Sequence, residues 1–115
     1  MFEQAVDARL FLLINKLAEF KPVVSGFYLA GGTALALQLG HRKSDDVDLF
    51  SQTLFNSEDI LQAIAELHGR VLVQEEKTVH ALIEGVKASF IFYPYKLLSP
   101  LTIIEGLNVA GIEDI

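Results

Sequence analysis

Two short stretches decide the fold: Leu29–Thr33, with the sequence LAGGT, and Asp46–Phe50, with the sequence DVDLF. The first predicts a short buried strand over 27–30 that turns at two glycines into a helix over 34–39, a run of good helix formers. The second alternates polar and apolar residues and predicts another strand. A glycine turn followed so closely by an Asp-x-Asp strand is more specific than either motif alone.

The glycine turn has two interpretations. Gly31 and Gly32 would let a phosphate approach the backbone without meeting a Cβ atom, and the helix that follows presents free N–H donors. The Thr33 hydroxyl could add to this phosphate site. Alternatively, the turn needs glycine only for packing. Since short glycine motifs are frequent by accident, the turn by itself favours packing.

The Asp-x-Asp pair also has two interpretations. In a strand, Asp46 and Asp48 face the same side and lie roughly 6.6 Å apart along the chain, while Val47 and Leu49 face the core. Two carboxylates so close repel each other unless a cation lies between them, and oxygen ligands favour Mg²⁺ or Mn²⁺. A solvated sheet edge is the more frequent reason for an isolated Asp-x-Asp.

The remaining pattern predicts an α+β fold, in which helices flank a mixed sheet within one domain spanning residues 1–115. The other predicted elements are a helix from about 3 to 20 that ends at Lys21-Pro22, a helix over 60–67 capped from 56–59, strands over 71–74, 79–83, 86–92 and about 102–109, and a hairpin turn at Glu84-Gly85.

Composition excludes several classes of protein. The chain has 115 residues, of which 51% are hydrophobic, a formal net charge of -6 and no cysteine. The acidic balance argues against nonspecific nucleic-acid binding, and disulfides and thiolate-bound zinc are ruled out. No apolar run approaches the roughly 20 residues of a membrane-spanning helix. Since the N-terminus lacks a basic signal region, a cytoplasmic location is expected.

The segment from Gly31 to Ser44, leading into Asp46–Phe50, resembles the nucleotidyltransferase motif of the AbiEii/AbiGii toxin family, within the DNA polymerase beta-like nucleotidyltransferase superfamily. The similarity extends through 85–87 and 93–95 to 111–114. It implies a nucleotidyltransferase fold that binds a nucleoside triphosphate with Mg²⁺ (or Mn²⁺) and transfers a nucleotidyl group to an acceptor that the sequence does not identify, with RNA and protein as the two candidates. An antitoxin protein is implied as a partner.

The resemblance assigns roles to individual residues. The residues that it implies for the phosphates and nucleotide are Gly31, Gly32, Thr33, Arg42, Ser44 and Lys87, and those implied as metal ligands and catalytic residues are Asp46 and Asp48. For Arg42, an ordinary charged loop after a helix is an equally good interpretation.

Two departures from the family put activity in doubt. The family's Lys-x-Asp, whose Asp supplies a third carboxylate, is here Lys87-Ala88-Ser89, and serine cannot hold the negative charge. The segment 112–115 resembles the first turn of a helix, so we expect the C-terminal helical part of the fold to be missing. The alternatives are therefore a degraded, non-enzymatic nucleotide-binding or protein-interaction module, or a plain α+β domain with coincidental motifs.

Other residues receive weaker expectations. His41, His68 and His80 show no ligand spacing to one another and are expected to be structural or surface residues. The segment 93–95, Tyr-Pro-Tyr, is expected to fix a loop rather than stack a base. A sheet edge or apolar surface near the C-terminus would favour a homo-oligomer.

Overall fold

The computed structural model describes residues 8–31, 33–34, 46–97, 101–104 and 106–111. Within these ranges the helices are α1 (Ala8–Leu17), α2 (Lys21–Gly26) and α3 (Ser57–Glu66). The strands are β1 (Tyr28–Ala30), β2 (Asp46–Ser51), β3 (Arg70–Glu75), β4 (Thr78–Ile83), β5 (Val86–Phe92), β6 (Thr102–Ile104) and β7 (Leu107–Val109). Gly32, Arg42 and Ser44, and most of the predicted helix over 34–39, lie outside the described residues.

The described strands form a seven-stranded sheet in the order β3-β4-β5-β2-β1-β7-β6. β2 pairs with β5 and β1 pairs with β7 in parallel, whereas the other neighbours are antiparallel. The predicted mixed sheet with flanking helices is therefore confirmed. β2 lies at the centre, so its residues have a neighbouring strand on both sides.

One face of the sheet is covered by helices. α1 lies against β2 and β5, and α3 lies against β3 and β4. The buried side chains between helices and sheet form one cluster that includes Leu10, Leu13, Leu17, Ile60, Ile64, Val47, Leu49, Val79, Ala81, Ala88 and Phe90. The apolar residues of α1 recur at steps of three and four, as an amphipathic helix requires, and this cluster is the core.

The first helical region differs from the prediction. α1 ends at Leu17, and a second helix, α2, begins at Lys21 with Pro22 in its first turn. Proline is accepted there because a first-turn N–H has no partner within the helix. Lys21-Pro22 therefore starts a helix instead of ending one.

The predicted capping segment of α3 is confirmed, since the Asn56 side chain accepts a hydrogen bond from the Glu58 N–H at 2.9 Å.

The hairpins are partly as predicted. Glu84 and Gly85 have φ values of 51° and 81°, the two positive values that a tight type I′ turn requires. The single strand predicted over about 102–109 is wrong. The chain reverses at Gly106, and β6 and β7 pair antiparallel to each other. Residues 112–115 lie outside the described part.

Both edges of the sheet carry exposed apolar side chains. Val71, Leu72 and Val73 of β3 are about 40% exposed, at 38%, 45% and 44%, and Ile103 of β6 is 71% exposed. The predicted self-association stays a prediction that light scattering would check. Within the described ranges, no helix is long and apolar enough to cross a membrane.

Candidate functional site

The face of the sheet opposite to α1 and α3 carries the two predicted metal ligands. Along β2, Val47 and Leu49 are fully buried against the helices, whereas Asp46 is exposed and Asp48 is half-buried. This alternation puts both carboxylates on the side opposite to the core, which we call the open face. Burial of Val47 and Leu49 holds β2 in place, and this fixes the strand that carries the two carboxylates.

The glycine turn lies directly against Asp48. β1 and β2 pair Ala30 with Asp48, and the chain turns at the next residue, Gly31, which has a φ of +67°. A Cβ atom at position 31 would lie only 2.5 Å from Oδ2 of Asp48. Glycine is therefore required twice, for the left-handed backbone and for the close approach of the carboxylate.

Thr33 connects the turn to the start of β2. Its side chain is fully buried, and its hydroxyl donates a hydrogen bond to the backbone carbonyl of Asp46. Thr33 and Ala34 are helical, so a helical segment follows the turn, as predicted. The hydroxyl contact fixes the position of Asp46 relative to this segment.

β5 borders the carboxylates on their other side. In the parallel register Lys87 lies beside Asp46, and Ser89 lies beside Asp48, on the same face. Lys87 is exposed, whereas Ser89 is only 3% exposed. The structure thus brings Lys87 into the predicted site, and it puts Ser89 next to the more buried carboxylate.

His80 is a site residue that the sequence pattern did not reveal. β4 pairs His80 with Ser89, and Nδ1 of His80 lies 2.7 Å from Oγ of Ser89. The alternation of β4 assigns His80 to the polar side, but only the registers of β4, β5 and β2 place it beside Ser89 and in line with Asp48. His68, in contrast, is exposed after α3, as expected of a surface residue.

The electrostatics of the site follow from this arrangement. Burial raises the pKa of the Asp48 carboxyl above its ordinary value, and the nearby Asp46 raises it further, while Lys87 and His80 act to lower it. Burial disfavours a charged carboxylate, and a second carboxylate repels it. A cation bound by both carboxylates would offset their repulsion and favour the ionised form of Asp48. The pair of aspartates is therefore suited to hold a cation.

The donor set fits a cation that also binds phosphates. Across the described ranges, no group of three or more His, Cys, Asp or Glu side chains is arranged to hold a metal ion. Asp46 and Asp48 alone supply two carboxylates, and Mg²⁺ is typically bound by one or two carboxylates together with substrate phosphates and water. The residues present therefore fit a Mg²⁺ or Mn²⁺ ion that arrives with a phosphorylated ligand.

A row of aromatic rings extends along the open face beyond Asp48. The ring centroids of Tyr28 and Phe50 are 5.9 Å apart, those of Phe50 and Tyr93 are 4.9 Å apart, and those of Tyr93 and Tyr95 are 4.5 Å apart. Gln52 donates a hydrogen bond from Nε2 to the Tyr95 carbonyl at 3.0 Å. These contacts support the loop-fixing role, although Tyr95 is 63% exposed.

Comparison with known families identifies the chain's relatives. Residues 17–105 match the sequence profile of the nucleotidyl transferase AbiEii toxin family, of type IV toxin–antitoxin systems. The chain belongs to the AbiEii family. The AbiEii match contains the glycine turn, both aspartates and the Lys87–Ser89 segment.

A curated relative of this AbiEii chain is known only as an uncharacterized protein. It comes from Aquifex aeolicus strain VF5 and is 42% identical over 98 residues, which cover 81% of this chain and 48% of the relative. The chain therefore spans about half the length of the curated relative that it matches.

Solved structures confirm the nucleotidyltransferase fold. The complex of ANT(2")-Ia with an adenylylated tobramycin aligns with a TM-score of 0.67 at 20% identity, covering 94% of this chain and 72% of that chain. A Thermotoga maritima protein described as a nucleotidyltransferase aligns with a TM-score of 0.62 at 15% identity, covering 94% of this chain and 81% of that one. At identities of 20% and 15%, the structural similarity shows a shared fold.

Proposed function

We propose that this AbiEii chain is a nucleotidyltransferase domain that binds a nucleoside triphosphate together with Mg²⁺, or Mn²⁺, and transfers a nucleotidyl group to an acceptor. The observation that carries the proposal is the contact between the Gly31 turn and the Asp48 carboxylate. This contact joins a backbone suited to phosphates with a side chain suited to cations. A nucleoside triphosphate bound to a divalent cation matches both.

The turn and the helical segment after it would hold the β- and γ-phosphates. The absence of a side chain at Gly31 lets the Asp48 carboxylate lie against the turn, and N–H groups at the start of a helix attract negative charge. By family resemblance Gly32, Arg42 and Ser44, which lie outside the described residues, would also bind the phosphates. Thr33, through its bond to the Asp46 carbonyl, keeps the turn and the carboxylates in register.

Asp46 and Asp48 would hold the cation, and the exposed Lys87 would bind a phosphate oxygen beside them. When bound, the cation neutralises the charge that develops on the phosphates. In the transfer step, a hydroxyl oxygen of the acceptor attacks the α-phosphorus and the bond to pyrophosphate breaks. The hydroxyl proton leaves to a base, and the residues described here act chiefly by positioning the phosphates and offsetting their charge.

The acceptor is proposed to be an RNA or a protein, as the membership in a toxin family suggests, and an antitoxin protein is proposed as a partner. Because the chain spans about half of its curated relative, residues outside it can contribute to the recognition of both. The residues proposed here for the phosphates and the cation all belong to this chain.

The test is isothermal titration calorimetry of ATP and of GTP, first with Mg²⁺ and then with EDTA. We expect binding of at least one nucleotide that depends on Mg²⁺ and is lost in Asp46→Asn and Asp48→Asn. Glu75→Gln, which removes an equal charge from the exposed strand β3, is the control and should bind as the wild type does. Nucleotide binding that is unchanged in both aspartate variants would contradict the proposal.

A second candidate function is a nucleotide-binding module without transferase activity. The observation that favours it is Ser89, a buried neutral side chain beside Asp48 where the family has a carboxylate. Incubation with α-³²P-labelled ATP and total cellular RNA or protein separates the two candidates. Label incorporated into either acceptor supports the transferase, whereas Mg²⁺-dependent binding without incorporation supports the module.

A further inference from the structure

Three polar side chains form a row across the open face. Asp48 on β2, Ser89 on β5 and His80 on β4 are direct neighbours in the registers of their strands. Adjacent strands are separated by about 4.8 Å. An acidic side chain at position 89 would therefore face Asp48 closely enough for the two to share a cation, but a neutral hydroxyl occupies that position.

The Ser89 hydroxyl is already engaged. Ser89 is only 3% exposed, and its Oγ lies 2.7 Å from Nδ1 of His80. Divalent cations of the Mg²⁺ type prefer charged oxygen ligands. A buried hydroxyl that is paired with an imidazole carries no charge to offer and is a poor ligand.

The number of negative charges limits the number of cations. Asp46 and Asp48 supply two carboxylates, and Lys87 lies beside Asp46 with a positive charge. The phosphates of one nucleotide would complete the coordination of one cation. A second cation, in two-metal sites about 3.5–4 Å from the first, would need a further carboxylate, and the described residues contain no third metal-ligating group at this place.

We propose that the site holds a single divalent cation per bound nucleotide, at Asp46 and Asp48, and that the Ser89–His80 pair occupies the place where a second cation would be bound. His80 is not counted as a cation ligand, because Mg²⁺ and Mn²⁺ are bound mainly by carboxylate, carbonyl and water oxygens. This inference rests on the proposed function, since it concerns the cations that accompany the nucleotide.

The experiment counts cations. The full chain is dialysed to equilibrium against Mn²⁺ with a non-hydrolysable ATP analogue, and bound Mn²⁺ and nucleotide are measured on the protein side. We expect one Mn²⁺ per bound nucleotide, with the six-line electron paramagnetic resonance spectrum of an isolated ion. Two Mn²⁺ per nucleotide with a spin-coupled spectrum would overturn the inference and leave the proposed function intact. If no nucleotide is retained, the proposed function fails, and the inference fails with it.

Variants test the role of the pair. Ser89→Asp should raise the count to two, because it creates the missing carboxylate beside Asp48. Gln74→Asp adds the same charge on the exposed strand β3 and should leave the count at one. A count of one in a Ser89→Asp chain with a native circular dichroism spectrum would show that residue 89 does not set the number.

If Ser89→Asp fails to fold, His80→Ala tests the inference instead. The count should stay at one, since the imidazole is not a ligand. A loss of the ion in a His80→Ala chain with a native circular dichroism spectrum would show that the imidazole coordinates it and would overturn the inference.

Discussion

The two sides of β2 differ in almost every respect. On the covered side Val47 and Leu49 are completely buried by the helices. On the open side Asp46, Asp48 and Phe50 are partly or fully exposed, and two carboxylates lie near a glycine turn. One strand of six residues therefore serves both the core and the site.

The alternation of this single strand separates the residues that stabilise the fold from those of the candidate site. The covered side contributes burial energy and tolerates little change, while the open side holds like charges together at a cost to the fold. Substitutions on the two sides should consequently have effects of different size and opposite sign.

The largest effect is expected on the covered side. Leu49→Ala removes a fully buried side chain from the core, and it should lower the free energy of unfolding by about 2–5 kcal/mol. Urea denaturation measures this loss. Leu54→Ala is the matched control, because Leu54 is 59% exposed, and it should change stability by less than about 0.5 kcal/mol. Equal losses in both variants would invalidate the division into two sides.

The next effect is expected where the turn meets the open side. Gly31→Ala places a Cβ atom 2.5 Å from Oδ2 of Asp48 on a backbone with a φ of +67°. The variant should lose about 1–3 kcal/mol of stability and most of its Mg²⁺-dependent nucleotide binding.

Gly26→Ala is the control for this glycine. A Cβ atom at Gly26, the last residue of α2, would meet no atom within 4 Å. Chemical denaturation should show no loss of stability and calorimetry no loss of binding. If both alanine variants bound nucleotide equally well, the close approach at Gly31 would have no functional meaning.

The sequence predicted the parts of the fold that local patterns encode. The alternation in DVDLF gave β2 and its two sides, the capping segment gave α3, and Glu84-Gly85 gave the hairpin between β4 and β5. Each of these depends on residues within a few positions of each other. The position of Asp46 and Asp48 on one side of β2 followed from the two-residue period of side chains in a strand.

The sequence did not predict features that depend on pairing between distant segments. His80 became a site residue only because β4, β5 and β2 are neighbours in a particular register. The contact of Gly31 with Asp48 depends on the register of β1 and β2. Pro22 was misinterpreted because proline both ends helices and occupies their first turns.

The smallest effect, and one of opposite sign, is expected from Asp48→Asn. The pKa of Asp48 is raised in the folded chain, so the fold prefers the protonated carboxyl, and stability is lost as the pH rises through that raised pKa. Without metal, Asp48→Asn should therefore melt at a higher temperature than the wild type at neutral pH, and the difference should disappear well below the ordinary value of 3.8.

Thermal unfolding in EDTA, followed from about pH 3 to about pH 7, measures this difference. Glu75→Gln, at an exposed position on β3, should follow the wild type throughout. A wild type that is more stable than Asp48→Asn at neutral pH in EDTA would contradict the assigned cost of the ionised carboxylate.

The proposed function requires that the nucleotide and its cation bind on the open face at Asp46 and Asp48. Paramagnetic broadening of amide NMR signals by Mn²⁺, in the presence of ATP, tests it most directly. We expect the signals of Gly31, Asp48 and Ser89 to broaden at the lowest Mn²⁺ concentration, whereas that of Ile64 on the covered side stays sharp. Broadening centred on the acidic first turn of α3, or spread evenly over exposed carboxylates, would contradict the account.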